Sequence, residues 1–511
     1  MKKFWAILLA MMLVLSMVTV AGASEVTGGD TPTTDAATAT ITAPNNGHTY
    51  EILQIFKGDL HNKVLSNLVW GKNGNGTAGD AVPEANINEL KAQEGDVAVR
   101  EYIVNNLLNS ADPFATIGKV GEEFVASMPV PTGYYLIRDK ADTLTGTNDS
   151  YTFYIVKITG DVTITPKADT PSLVKKIQDK NDTTGETSGW QDSADYDIGD
   201  AVPYRLTATI ATNFASYKGA YKLVFHDTME AGLTFYEGSV KVLVGTTEIP
   251  STSYTVTKKD NQNFTVTIED VKALEYGENG TKVAVGDKIH VEFAAILNEN
   301  ANIGSKGNLN TGYLEFANNP NSEQPEMGET PKDTVIAFTY QVVINKVNEK
   351  KEPLPGADFK LEKKIGDAQW VEIDRKTGTT AGSVFTFTGL DDGTYRLTET
   401  AVPAGYNKMA PVTFVVTADH TVVVDELDDT TRYEVLKSLN GTAENGVITL
   451  AEQKETDNIT GLTSDVVNKS GATLPETGGI GTTIFYVLGG MMFVGAALIL
   501  VVRRKAEADE I

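Results

Sequence analysis

The chain contains no cysteine. That absence excludes disulfides, thiolate metal sites, iron–sulfur clusters and thiol nucleophiles. Histidine is nearly as scarce. His48, His61, His226, His290 and His420 are the full set, and no two of them stand at metal-ligand spacing. Basic residues are outnumbered 43 to 68, for a net charge of -25, which argues against nucleic acid or an anionic membrane as the main partner. Gly and Pro, at 46 and 18 of 511 residues, are too few for a collagen-like or broadly disordered chain. The glycine-rich WGKNGNG (70–76) lacks the Lys–Ser/Thr of a phosphate loop and is expected to be a turn. DKNDTTGE (179–186) lacks the spacing of a calcium loop and is expected to be a hairpin tip. No nucleophile elbow is present, so the sequence offers no cofactor, no metal and no turnover chemistry.

Long uncharged apolar runs occur only at the two ends. Residues 1–23, MKKFWAILLAMMLVLSMVTVAGA, have a basic start, an apolar stretch and a small-residue Ala21-Gly22-Ala23 site. This is the pattern of a secretory signal peptide. Ile480 to Val502 is free of charge and is followed by Arg503, Arg504 and Lys505. It is long enough to span a bilayer, with the basic cluster inside and the body outside. An exported chain of this length without disulfides must be stabilised by other means.

Between the ends, the sequence divides into a flexible leader (24–40) and three modules (41–170, 171–333 and 334–472), then a tail (473–511). The only helical pattern in the body is 86–109. Elsewhere, runs such as YRLTATI (204–210), FTVTIED (264–270), FTYQVVINKV (338–347) and VTFVVT (412–417) alternate with period two. They predict a mainly β protein of tandem antiparallel sandwiches. The polar, proline-containing stretch 318–333 reads as a linker.

Several charged residues fall on apolar faces. Lys346 continues the face Phe338, Tyr340, Val342, Ile344. Glu399 shares one with Tyr395 and Leu397, and Asn468 shares one with Val466. A buried, unpaired Lys or Glu is heavily penalised, so these groups are expected to meet. Burial favours a neutral amine and a protonated acid. The Lys346 amine could then attack the Asn468 side-chain carbonyl, with Glu399 polarising it and passing protons to departing ammonia. The same pattern in the middle module suggests Lys175, Asp227 and Asn318, with Asn319 as a competing acceptor and Lys176 as the outward neighbour. By analogy with disulfides, closing loops of roughly 120–140 residues this way would stabilise each module by about 4–5 kcal/mol.

The tail motif Leu474-Pro475-Glu476-Thr477-Gly478, followed by the apolar span and the basic stop, resembles the LPxTG cell-wall sorting signal of Gram-positive surface proteins. TYRLTETAVPAGY (394–406) resembles the E-box of Cna-B-type domains, with Glu399 as its glutamate, and VVINKV (342–347) and VVNKSG (466–471) resemble the lysine and asparagine strands. PSLVKKI (171–177) and FHDTMEAGLTF (225–235) are similar to the middle domain of backbone pilins. The resemblance therefore implies a major pilin of sortase-assembled pili, built of immunoglobulin-like/Cna-type β-sandwiches. It also implies intramolecular isopeptides between Lys346 and Asn468 and between Lys175 and Asn318, promoted by Glu399 and Asp227.

VTITPKADTP (162–171) resembles the pilin motif, with Thr165 in place of its usual tyrosine but Pro166 and Lys167 retained. The resemblance implies that a sortase cysteine cleaves after Thr477 and passes its carbonyl to Lys167 of another copy. Its partners would be copies of itself, a pilin sortase and an anchoring sortase, peptidoglycan, minor and tip pilins, and host surface molecules in adhesion. Ala168 stands where some backbone pilins have an asparagine, and Lys57 in IFKG (55–58) has no evident acid and acceptor, so no internal bond is expected in the first module. The alternative is a wall-anchored adhesin that uses Thr477 but not Lys167 and does not polymerise.

Overall fold

The computed structural model describes residues 38–508 except 44–47, 62–63, 94–95, 110–111, 121–122, 141–142, 145, 148, 165–168, 379–381, 421–422, 425–431, 434–435, 445–447, 457 and 472–479. Period-two patterning folds into strands that bury alternate side chains. Ala201–Thr209, Lys288–Leu297 and Gly393–Ala401 show this along most of their length. The protein is mainly β, as the alternation predicts.

Among the described residues the first module has an eight-stranded sheet around the long strand Tyr50–His61, which pairs antiparallel with Val64–Trp70 and Gly133–Asp139, and a two-stranded sheet of Thr38–Ala39 with Val130–Pro131. Its two faces carry separate cores, one around Tyr50, Tyr135 and Ile137, the other around Phe56, Trp70 and Leu107. The predicted helix over 86–109 is split. Glu84–Lys91 and Asp96–Tyr102 are α-helical, and Ile103–Leu107 continues as a π-turn. Ala92 and Gln93 follow the first helix as a turn and an irregular residue. The segment 70–76 is a turn, and its glycines allow close packing: a Cβ at Gly71 would come within 2.4 Å of the Gln54 carbonyl.

The middle module packs a six-stranded sheet against a seven-stranded one over a core rich in Tyr204, Phe225, Phe264 and Phe293. The C-terminal module packs a four-stranded sheet on a five-stranded one around Tyr340, Phe387, Tyr395 and Phe414. In its smaller sheet the first strand, Tyr340–Val347, lies parallel and adjacent to the last, Asn458–Val467.

The strand Asp333–Phe338 joins the two sandwiches. Val335 and Ala337 belong to the middle core, whereas Ile336 and Phe338 belong to the C-terminal core. The stretch 318–333 contains a further short strand, Met327–Glu329, paired with Asn308–Ala317. It is thus held to the sheet rather than hanging free. After the C-terminal module, Ile480–Ala508 is a helix. Among the described residues no helix is long and apolar enough to cross a membrane, so the span 480–502 rests on the sequence.

Candidate functional site: buried lysine, acid and asparagine sets

In the C-terminal module, alternation on the first strand turns Lys346 inward, where it is fully buried. Its register partner on the last strand is Val466, and its Nζ donates to the Val466 carbonyl at 3.0 Å. Asn468 follows two residues later, on the same face. Its backbone N–H donates to the Val347 carbonyl at 3.1 Å, and its side chain is 1% exposed. Glu399 enters from the facing sheet and is also fully buried. Its Oε1 accepts from Asn468 Nδ2 at 2.7 Å and its Oε2 from the Met409 N–H at 2.9 Å. Asn468 Oδ1 has no hydrogen-bond partner. Burial pushes the Lys346 amine down to about 8, with the Glu399 charge acting in the opposite direction.

The structure therefore brings Lys346, Glu399 and Asn468 to one dry site. It differs from the expected arrangement in one respect: Glu399 contacts the amide nitrogen of Asn468, the atom that would leave, rather than its carbonyl oxygen. In that position the carboxyl can deliver a proton to departing ammonia.

In the middle module, Lys175 on Ser172–Lys180 is fully buried, and its ammonium contacts Asp227 on the opposing sheet. The rings of Tyr204 and Phe293 lie 5.3 and 5.0 Å from its Nζ. Burial lowers the Lys175 value, against the pull of Asp227 and Asp333. It raises Asp227 to about 6, against Lys175 and then Asn310. Both shifts favour a neutral amine facing a protonated acid.

The expected acceptor in this module is not the one the structure places there. Asn318 lies beyond the end of Asn308–Ala317 and points to the first module, where its Nδ2 donates to the Asp149 carbonyl at 3.4 Å. Its own carbonyl accepts from the Tyr151 N–H at 2.8 Å. Asn319 is bonded to Glu326, and Lys176 to Asp192. The asparagine at the buried pair is Asn310, fully enclosed, on the strand beside Asp227. Neither end of its amide has a well-formed hydrogen bond.

Parity explains the miss. Asn308, Asn310, Gly312, Leu314 and Phe316 share the inward face, but Phe316 and Ala317 are both buried, so the alternation fails before it reaches Asn318. Extending the pattern backwards from Leu314 would have found Asn310. Gly312 is part of the same signal: a Cβ there would lie 2.5 Å from Leu206 Cδ2 and 3.6 Å from Lys175 Cδ.

Lys57 is half-buried on its strand. Lys167 lies outside the described residues, as do Leu474, Pro475, Glu476, Thr477 and Gly478. The described residues on either side of 165–168 are hydrogen-bonded to the neighbouring structure. The Ile164 N–H donates to the Thr42 carbonyl at 2.8 Å, and Asp169 accepts from the Thr212 N–H at 2.6 Å.

The family described as SpaA, a prealbumin-like fold domain, matches residues 340–431, the part of the chain that contains Lys346 and Glu399. The LPXTG cell wall anchor motif matches residues 466–509. This is a wall-anchored surface protein.

A curated relative, the trypsin-resistant surface T6 protein of Streptococcus pyogenes serotype M6, is 24% identical to this surface protein over 400 residues, 66% of this chain and 70% of the relative. Among solved structures, the T6 backbone pilin of serotype M6 Streptococcus pyogenes aligns with a TM-score of 0.48 and 16% identity, covering 86% of this chain and 100% of that one. The full-length major pilin SpaD from Corynebacterium diphtheriae aligns with a TM-score of 0.45 and 18% identity, covering 86% and 99%.

Proposed function

We propose that the protein is the repeating shaft subunit of a covalently assembled pilus on a Gram-positive cell wall. The observation that carries this reading is the combination of a wall-anchor signal at the C-terminus with two modules that each bury a lysine, an acid and an asparagine side by side. The subunit is a sortase substrate, and its own chemistry is a single event in each module.

In the C-terminal module, the neutral Lys346 amine attacks Cγ of Asn468. The C–N bond to Nδ2 breaks, and Glu399 carries the proton from the incoming nitrogen to the departing one. One Lys–Asn amide forms and one ammonia leaves. In the middle module, Lys175 and Asp227 do the same with Asn310. Each reaction replaces two polar groups that are costly to bury by one amide.

Between subunits, a sortase cysteine attacks the Thr477 carbonyl, releases Gly478, and holds Thr477 as a thioester. Lys167 of the next copy resolves it. When no further subunit arrives, an anchoring sortase passes the thioester to a peptidoglycan amine.

The test is electrophoresis of cell-wall extracts. A ladder of SDS-resistant multimers is expected, and Lys167→Ala should collapse it to single chains still attached to the wall. A wild-type extract containing only monomer would instead identify the non-polymerising adhesin.

A further inference from the structure

The junction between the middle and C-terminal modules holds an unusual concentration of acid. Asp179, Asp182, Asp195, Asp197 and Asp200 come from the middle module, and Asp391 and Asp392 from the C-terminal one. Among the described residues one buried cation serves them. Lys363 is fully buried and donates to Asp182 at 3.2 Å, to Asp197 at 2.6 Å and to Asp391. Those three bonds use all three of its protons. None remains for Asp179 or Asp195.

Asp195 is 1% exposed, and its Oδ2 has no hydrogen-bond partner. Asp179 Oδ1 is likewise buried and unpartnered. The nearby Tyr340 hydroxyl makes no well-formed bond either. The charges of Asp392 and Asp179 act on Asp195 in the same space.

His420, at the end of the Val412–Asp419 strand, completes the group. Oxygens of Asp179 and Asp195 and a ring nitrogen of His420 all lie within 4.8 Å of one another. The tautomer follows from hydrogen bonding. Ser193 Oγ donates its single proton to the His420 backbone carbonyl at 2.7 Å. It can therefore only accept from His420 Nδ1, 2.8 Å away. A neutral ring protonated at Nδ1 leaves Nε2 with a lone pair, and this atom lies 3.9 Å from Asp195 Oδ1. A nitrogen lone pair and oxygens of two acids thus converge, with the Tyr340 hydroxyl beside Asp195. Donors on a tetrahedral zinc ion at about 2.0–2.1 Å lie roughly 3.4 Å from one another, so the His420–Asp195 pair, at 3.9 Å, has to draw inward to hold an ion.

We propose that Asp179, Asp195 and His420 form a divalent transition-metal site of the zinc class that ties the middle module to the C-terminal one. An imidazole nitrogen with two carboxylates suits zinc better than calcium or magnesium, which favour all-oxygen shells. The Nδ1–H to Ser193 bond is the outer contact that orients a ligating imidazole.

The experiment uses the full-length protein in detergent, stripped with EDTA and dialysed, then titrated with zinc chloride against a chromophoric chelator. One zinc per chain is expected, not displaced by equal calcium or magnesium, together with a rise in the melting temperature. His420→Ala and, separately, Asp179→Asn should each weaken binding by at least about ten-fold with unchanged circular dichroism. Absence of stoichiometric zinc binding, binding that neither variant weakens, or equal binding of calcium would overturn the site. If one variant misfolds, the other decides.

Discussion

Lys346 lies on the first strand of the C-terminal module and Asn468 directly after the last, two strands that run side by side in the same direction, and Asn468 stands two residues past the Val466 carbonyl that Lys346 Nζ binds at 3.0 Å. Parallel pairing is what lets two residues so far apart in sequence share a face and a height in the core. Glu399 reaches the pair from the opposite sheet.

The mass of the mature chain should therefore fall short of the encoded value by about 34 Da, one ammonia for each of two amides. Lys346→Ala, Asn468→Ala and Glu399→Ala should each restore about 17 Da. Intact-mass spectrometry reads this directly. Loss of the C-terminal amide should also lower stability by about 4–5 kcal/mol through the loop it leaves open, measurable by denaturant unfolding.

In the middle module, Asn310→Ala should restore about 17 Da, whereas Asn318→Ala should leave the mass deficit intact. Fragment spectra should join the peptide containing Lys175 to the one containing Asn310. A cross-link to the peptide of Asn318 would instead support the acceptor expected from sequence.

Gly312→Ala should test how tightly the middle site is packed. The added methyl meets Leu206 Cδ2 at 2.5 Å and lies beside the Lys175 side chain. Overpacking of this kind costs about 1–3 kcal/mol, and displacement of the lysine should leave a fraction of chains unbonded. Calorimetry and intact mass on the same sample separate the two effects.

An unbonded Lys346 should reveal itself through pH. In Asn468→Ala the amine persists, with a folded value of about 8 against about 10.4 unfolded. Between those values the unfolded chain binds more protons, so stability should rise as pH rises through that window and be flat below it. The wild-type chain, whose nitrogen has become an amide, should lack this contribution. The difference between the two melting-temperature profiles is the measurement.

Much of this was legible in the sequence because alternation is a strong signal on a half-buried strand. Lys346, Glu399 and Asn468 each sit at the inward phase of a well-patterned run, and so do Lys175 and Asp227. Asn310 was missed because parity was carried forward past Ala317, where two adjacent buried residues break the pattern. The end of the helix at Lys91, before Ala92 and Gln93, depends on local propensities that a coarse apolar face does not resolve. The junction between the modules was invisible for a different reason. Asp179, Asp195 and His420 are separated by up to about 240 positions, and only packing of one sandwich on the other brings them together; no local pattern encodes that.

The ladder of wall-linked multimers remains the most direct assay of assembly. Lys167→Ala should abolish it while leaving the mass deficit of each monomer unchanged, since the internal sites lie in other modules. A ladder that survives Lys167→Ala would move the acceptor to another lysine.

The side-by-side course of the first and last strands also decides how the C-terminal module would respond to pulling. Pulling on the module's two ends would load Tyr340–Val347 at one side and the residues after Asn468 at the other. With an amide between Lys346 and Asn468, force crosses from one strand to the other through a few covalent bonds, and the roughly 120 residues between them become a slack loop outside the line of stress. Such a module cannot lengthen by unravelling, so a fibre made of it would behave as a cable rather than a spring.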